Sequence, residues 1–355
     1  MRDTDAFARL ASVAGAHGVT PGALDGPVLG YRHRARLAVR GRAGSPKVGI
    51  FQEGSHRIVD IPRCGVHHPQ VNATAAVVRD AIRHCGVEPY VEGPHRGLVR
   101  YLQITVDPGT QRVQLVVVTN DAGPDSARPL LGELVERLGD RLHSLAWNGQ
   151  PLRSNAVLGP RTELIHGPPA LELAIGGAHA HFPPAAFMQN NLPLYGRIVE
   201  QVHAWVPDGA RVVEYYAGVG AIGLGVVGRS ATVAFNELAA ASLEGLGLGL
   251  AALPPSLRER TRVLEGDAAL HAGALRDADT VIVDPPRRGL DGGLLDALCE
   301  QPVGSLLYVS CGLSSFERDT AALTGRGDYR LDALVVADLF PFTGHVESVA
   351  RFVAG

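Results

Sequence analysis

Two rhythms of apolar and polar positions divide the chain. From Tyr31 to about residue 120 the runs RARLAVRG, KVGIFQEG, HRIVDI, VRYLQITVD and QRVQLVVVTN alternate or are β-branched, with Gly, Pro and Asp between them. Alternation of period two between turn residues predicts strands. HSLAWNG, TELIHG and LELAIGG carry that pattern to about residue 177, and helical spacing over 70–84 and 127–138 adds two helices, so this part is α+β. HFPPAAFMQNN then leads into LPLYGRIVEQVHAWV, whose apolar residues recur at helical spacing, and places a boundary near residue 183. After Pro207 the strands RVVEYY, ATVAFNE, RVLEGD, DTVIVD and SLLYVSC alternate with helical stretches at about 220–228, 238–251, 291–300 and 315–324. Apolar strands joined by crossover helices imply a mainly parallel, doubly wound α/β sheet. RLDALVVADLF and HVESVARFVA, joined by the turn PFTG, supply two last strands. The expected domains are 1–183 and 184–355.

Composition narrows the class. A hydrophobic fraction of 46% against 19% charged residues excludes a disordered chain. No apolar run approaches the roughly 20 residues that span a bilayer, and MRDTDAFARL has acids where a signal peptide is apolar. We therefore expect a cytoplasmic protein with no membrane association and no obligate protein partner. The four cysteines, Cys64, Cys85, Cys299 and Cys311, form no CxxC pair, against a disulfide framework, a zinc ribbon or a cluster loop. The net charge of −3 hides an asymmetry: residues 1–100 hold 14 basic and 8 acidic side chains, a net +6, and the remainder 19 and 28, a net −9. Between Tyr31 and Arg57, Arg32, Arg34, Arg36, Arg40, Arg42, Lys47 and Arg57 face only Glu53. Such a run suits an RNA phosphate backbone and equally a solvated strand face.

Chemistry concentrates after residue 186. EYYAGVGAIG spaces Gly218, Gly220 and Gly223 as GxGxxG, a backbone approach to a nucleotide-like ligand that suits NAD and S-adenosylmethionine alike. Glu237, 19 residues beyond Gly218, is placed for ribose hydroxyls. Asp267, Asp284 and Cys311 end the next three strands, so polar residues gather at the carboxyl edge where open sheets bind ligands. DPPRRG stiffens the Asp284 turn, and its Arg287 and Arg288 could meet a phosphate. Cys311, leaving a buried strand, is either a small buried hydrophobe or a thiol nucleophile able to add to carbon 6 of a pyrimidine. That addition requires a base for the proton on carbon 5, for which Glu347 is the candidate and His345 the second choice. In FMQNN, Phe187 offers an aromatic face, and Gln189 and Asn191 offer amides.

FMQNN, EYYAGVGAIG, AFNE, DPPRRG, YVSC and HVES, in that order over residues 187–350, resemble the RNA uracil-5-methyltransferase family, which includes tRNA and 23S rRNA (uracil-5-)-methyltransferases. Upstream, YRHRARL followed by HRIVDIPRC is similar to the family's central domain. The resemblance implies a Rossmann-like class I methyltransferase domain with S-adenosylmethionine as cofactor, contacted by Gln189, Tyr216, Glu237 and Asp284. Gly218, Gly220 and Asp267 join that set from the strand-end reading. The resemblance also implies Cys311 as nucleophile, Glu347 as proton acceptor, and RNA, a tRNA or rRNA, as partner. Phe187, Arg32, Arg34, Arg36 and Arg287 are the candidates for holding the RNA. Many relatives begin with a small β-barrel, which we expect to be lacking here. Some relatives hold an iron–sulfur cluster; only Cys64 matches a ligand, so none is expected. RNA cytosine-5 methylation stays open as an alternative, since it uses the same addition. An NAD-dependent oxidoreductase would explain GxGxxG and Glu237 but leaves DPPRRG, Cys311 and Glu347 without roles.

Overall fold

The computed structural model describes residues 4–355. Its chain forms two compact units, one comprising Val28–Leu171 with Phe182–Leu192, the other Glu172–His181 and Pro193–Gly355 with the described part of Met1–Pro27. The single cut expected near residue 183 therefore differs from the observed division. Helix α1 (Thr4–Ala16) buries Ala6, Leu10 and Ala14, spaced by one turn, in the core of the C-terminal unit. Strand β1 (Gly22–Leu24) adds to that unit's sheet, which is why the start of the chain groups with its end.

The α+β unit is built on a seven-stranded sheet in the order β4-β3-β2-β5-β6-β7-β8. Its strands are β2 (Arg34–Arg42), β3 (Ser45–Phe51), β4 (Ile58–Asp60), β5 (Val99–Val106), β6 (Val113–Thr119), β7 (Leu142–Gly149) and β8 (Arg161–His166). Helix α2 (Pro69–Cys85) starts on a His68 cap and stops where Gly86 turns left-handed at φ 62°. Helix α3 (Arg128–Leu138) makes the crossover between the parallel strands β6 and β7. Both helices cover one face, where Leu37, Leu102, Ile104, Leu115 and Trp147 pack against Val78, Ile82, Leu130 and Leu134. The opposite face carries polar positions of the same alternation. There Gln103 donates to the Pro184 carbonyl at 2.6 Å and Gln114 to the Phe182 carbonyl at 3.0 Å, which pins the Phe182–Leu192 segment to the sheet. Strands β9 (Leu171–Ile175) and β10 (Ala178–Phe182) form a separate hairpin, turning at Gly176 and Gly177, both at positive φ.

The C-terminal unit holds an eight-stranded sheet in the order β1-β16-β17-β15-β14-β11-β12-β13. Helix α4 (Leu192–Trp205) enters it, followed by β11 (Arg211–Tyr215), β12 (Thr232–Glu237), α5 (Ala240–Ala252), α6 (Pro255–Arg258), β13 (Thr261–Glu265) and β14 (Thr280–Val283). Then come α7 (Gly292–Glu300), β15 (Ser305–Ser310), α8 (Leu313–Gly325), β16 (Tyr329–Ala337) and β17 (Glu347–Ala354). Strands β11 to β15 are parallel and β17 inserts antiparallel between β15 and β16, as the doubly wound expectation requires apart from that one reversal. The helix expected at 220–228 is only a 3₁₀ turn over Gly223–Val226. Five glycines between Gly218 and Gly228 make a long helix costly there. Among the described residues no helix is long and apolar enough to cross a membrane.

Candidate active site

The order of strands reverses between β11 and β14, the position where a doubly wound sheet opens a crevice at its carboxyl edge. Tyr216, Gly218 and Gly220 follow β11, all at positive φ, and for Tyr216 (φ 60°) that conformation is uncommon. Gly220 has no room for a side chain, since a Cβ would lie 2.7 Å from Leu246. The Tyr216 hydroxyl accepts the Asp291 amide at 3.0 Å, linking this turn to the one after β14. Glu237 closes the loop: its carboxylate accepts Gly218 N–H at 2.7 Å, Leu238 N–H at 2.8 Å and Ala239 N–H at 2.6 Å. Asp267 is exposed beside the β13 end.

Asp284, half-buried at the β14 end, is pushed up by burial to about 7. Glu214, which the sequence reading passed over, is buried within β11, accepts Gly223 N–H at 3.0 Å and is also raised well above the usual range by burial. No periodic signal marks an acid flanked by Val213 and Tyr215 as special. Tyr195 of α4, read only as part of an apolar face, is buried within reach of the charges of Asp284, Glu214 and Glu347.

Strands β15 and β17 bring the two expected catalytic residues together. Their register sets Ser310 opposite Ser348, so Cys311 and Glu347 follow one step on, at the same end of adjacent strands. Glu347 is 2% exposed, its Oε2 has no hydrogen-bond partner among the described residues, and burial raises its carboxyl strongly. Burial, then the charges of Glu347 and Asp284, push the Cys311 thiol up to about 12. A cavity of about 330 Å³ opens over Cys311, lined among others by Arg9, Arg287, Leu313, Ser315 and His345. Arg9, on α1, had no expected role; it pairs with Glu317 across 3.0 Å. His345 is exposed, whereas Glu347 is enclosed. Gly312 is needed beside the thiol, because a Cβ there would sit 2.5 Å from the Arg287 carbonyl.

The remaining candidates lie in the α+β unit. Phe187 (67% exposed) and the half-buried Gln189 are on the Phe182–Leu192 segment. The arginine row departs from expectation. Arg36 is exposed and Arg32 half-buried, but Arg34 and Arg40, on the same face of β2 as Arg36, are buried. Arg40 donates to the Val39 and Arg100 carbonyls at 2.9 and 3.0 Å and to Glu92 at 2.7 Å. Arg34 has an Nε without a partner among the described residues, and burial draws its pKa down to about 9.

A doubly wound sheet with an antiparallel strand, β17, inserted between β15 and β16, and a loaded carboxyl edge, defines a Rossmann-like methyltransferase fold. Over 99% of this chain and 83% of the other, it superposes on the Pyrococcus abyssi tRNA (uracil-54, C5)-methyltransferase solved with S-adenosyl-L-homocysteine, with a TM-score of 0.79 at 24% identity. Residues 269–352 match the family described as tRNA (uracil-5-)-methyltransferase. An uncharacterized RNA methyltransferase of Protochlamydia amoebophila is 35% identical over 92% of this chain and 87% of its own length, and one of Parasynechococcus marenigrum 31% identical over 94% and 72%. The chain belongs to the tRNA (uracil-5-)-methyltransferase family of RNA methyltransferases.

Proposed function

We propose that this protein transfers a methyl group from S-adenosylmethionine to carbon 5 of a uridine in tRNA or rRNA. The observation that carries the reading is the β15–β17 register, which sets a thiol beside an enclosed carboxyl with a free oxygen, next to Asp284. The crevice suits the cofactor by its chemistry. Gly218 and Gly220 present backbone without side chains, Glu237 holds that turn while keeping acceptor lone pairs for ribose hydroxyls, and Asp284 is placed for a base or an amine. Tyr216 and Asp267 flank the same turn, and we assign Gln189 to this set by the family motif. When bound, the cofactor supplies an electrophilic methyl.

The chain's own residues do the rest. The Cys311 sulfur forms a bond to carbon 6 as its proton leaves to a neighbouring carboxylate, and the carbon 5–carbon 6 π electrons shift toward carbon 5 and oxygen 4. Carbon 5 takes the methyl and then carries both methyl and hydrogen. Glu347 removes that proton; the electrons restore the double bond and expel the Cys311 thiolate. Arg287, and Arg9 across the cavity, hold the phosphate of the unstacked nucleotide, and Phe187 offers RNA an aromatic face. The test is Glu347→Gln incubated with RNA and S-adenosylmethionine. We expect methyl transfer without release, seen as a slower band on a denaturing gel, and no band with Cys311→Ala. Nucleoside analysis of the wild-type product showing 5-methylcytidine in place of 5-methyluridine would overturn the choice of base.

A further inference from the structure

We propose that the α+β unit carries a second RNA site, a pocket that takes one unstacked nucleotide other than the target uridine. The proposal rests on the reading of RNA as substrate but on different residues. A cavity of about 540 Å³, in the range of small-ligand pockets, opens on the sheet face away from α2 and α3. Four rings line it: Phe51 at the end of β3, Tyr101 on β5, Tyr90, and His56 from the β3–β4 loop.

Beneath and beside the rings sits more positive charge than the cluster itself requires. The Arg40 guanidinium lies 5.1 Å from the Phe51 ring centre, 5.3 Å from Tyr90 and 5.3 Å from Tyr101, and Arg100 lies 4.3 Å from Tyr90. Arg100, and Arg153 on the lip, line the cavity together with one carboxylate, Glu92, which accepts from Arg40 at 2.7 Å and from His56 at 2.7 Å. Arg100 spends its terminal nitrogens on loop carbonyls, including Leu152 at 2.7 Å, and its buried Nε has no partner among the described residues. Arg153 donates to the Glu92 and Gly93 carbonyls, at 3.4 Å each. A cationic pocket walled by aromatic rings binds a planar base by stacking and its phosphate by charge. Ser154 and Asn155 at the mouth add donors and acceptors suited to a base edge or a 2′-hydroxyl.

A stretch of RNA fits better than a free mononucleotide because the cations continue outward. Lys47 shares the Phe51 side of β3 by alternation, and Arg57 follows His56 in the loop. A backbone leaving the pocket would pass both.

The test uses the full-length protein with S-adenosylhomocysteine, titrated with fluorescein-labelled oligo(rA), oligo(rU) and bulk tRNA, then irradiated so that cross-linked peptides can be mapped. Arg153→Ala and Phe51→Ala are each expected to weaken RNA binding about ten-fold with S-adenosylhomocysteine affinity unchanged. Cross-links are expected at Phe51, Tyr90 or Tyr101. Arg153 stands on an exposed loop, so its variant reports even where Phe51→Ala lowers the melting temperature. Unchanged RNA affinity in the Arg153 variant, with no cross-link in this pocket, overturns the proposal. Occupation by AMP without any loss of RNA affinity in the variants overturns the choice of RNA in favour of a free nucleotide. Product analysis is read separately: a base other than 5-methyluridine defeats the proposed reaction and leaves a mapped cross-link standing. Formation of 5-methyluridine with no cross-link defeats the pocket alone.

Discussion

With its thiol pushed up to about 12 by burial and by the charges of Glu347 and Asp284, Cys311 keeps its proton at neutral pH, and a small alkylating agent finds little thiolate there. Asp284→Asn removes one of those charges, so above the Asp284 value of about 7 it should lower the thiol pKa and speed Cys311 alkylation by iodoacetamide several-fold at pH 9. Peptide mapping separates Cys311 from Cys64, Cys85 and Cys299, and an unchanged rate at Cys311 would contradict the arrangement. The same substitution has a signature in stability. Folding raises the Asp284 carboxyl from 3.8 to about 7, so between those values the folded chain holds a proton that the unfolded chain has released. Stability contributed by this group therefore falls as pH rises through that window, and the full cost remains above it. The Asn variant should gain on the wild type, its melting temperature rising by a few degrees relative to wild type between pH 5 and pH 8. Thermal melts at the two pH values decide it. A gap that narrows over the same interval would show Asp284 to be stabilised as the anion.

At the scale of elements, the DPPRRG turn is held by a residue with no sequence signal. Gly289 turns at φ 84°, and Asp319 of α8, fully buried, accepts Leu290 N–H at 2.9 Å and the Tyr308 hydroxyl at 2.8 Å while pairing with Arg318. It thereby ties the Asp284 turn to the strand that delivers Cys311. Asp319→Ala leaves those buried donors unmet and should cost about 3 kcal/mol, measurable by urea unfolding; a loss under about 1 kcal/mol would show that water replaces the carboxylate. The legibility of the site follows from this. Asp284, Cys311 and Glu347 were visible because strand periodicity fixes where a strand ends, and residues at one end of adjacent strands must converge. Asp319 was not, because a single acid on a helix reads as solvated until a turn 30 residues earlier is folded against it. Glu214 and Tyr195 were hidden likewise inside apolar stretches. In α1, Ala6, Leu10 and Ala14 did carry helical spacing, but small residues give a weak stripe, and the charges of the first turns masked it. The stretch 220–228 was read as a long helix but forms only a 3₁₀ turn, since the glycines that leave backbone open to a ligand also discourage helix propagation.

Across the whole molecule, the excess of basic residues in the first 100 positions does not translate into a uniform phosphate-binding surface. On one face of β2, Arg34 and Arg40 are buried while Arg36 and Arg42 are exposed, with Arg36 Nε donating to Gln103 at 2.9 Å, so the second pair is the better placed to displace counterions from RNA. For single-stranded RNA each phosphate contact contributes about −0.7 to the slope of log affinity against log salt. The Arg36→Ala, Arg42→Ala double variant should flatten that slope by about 1.4 and leave the methylated position unchanged, since phosphate contacts set affinity and register without reading bases. Arg40→Ala should act differently. It removes a guanidinium that joins three hydrogen bonds to three rings, so its loss should appear chiefly as a lower melting temperature. Titration of both variants with RNA at four or more salt concentrations, paired with melts, separates the two outcomes. An unchanged slope in the double variant would mean that the exposed arginines of β2 face water alone, and that the charges holding RNA lie elsewhere on the chain.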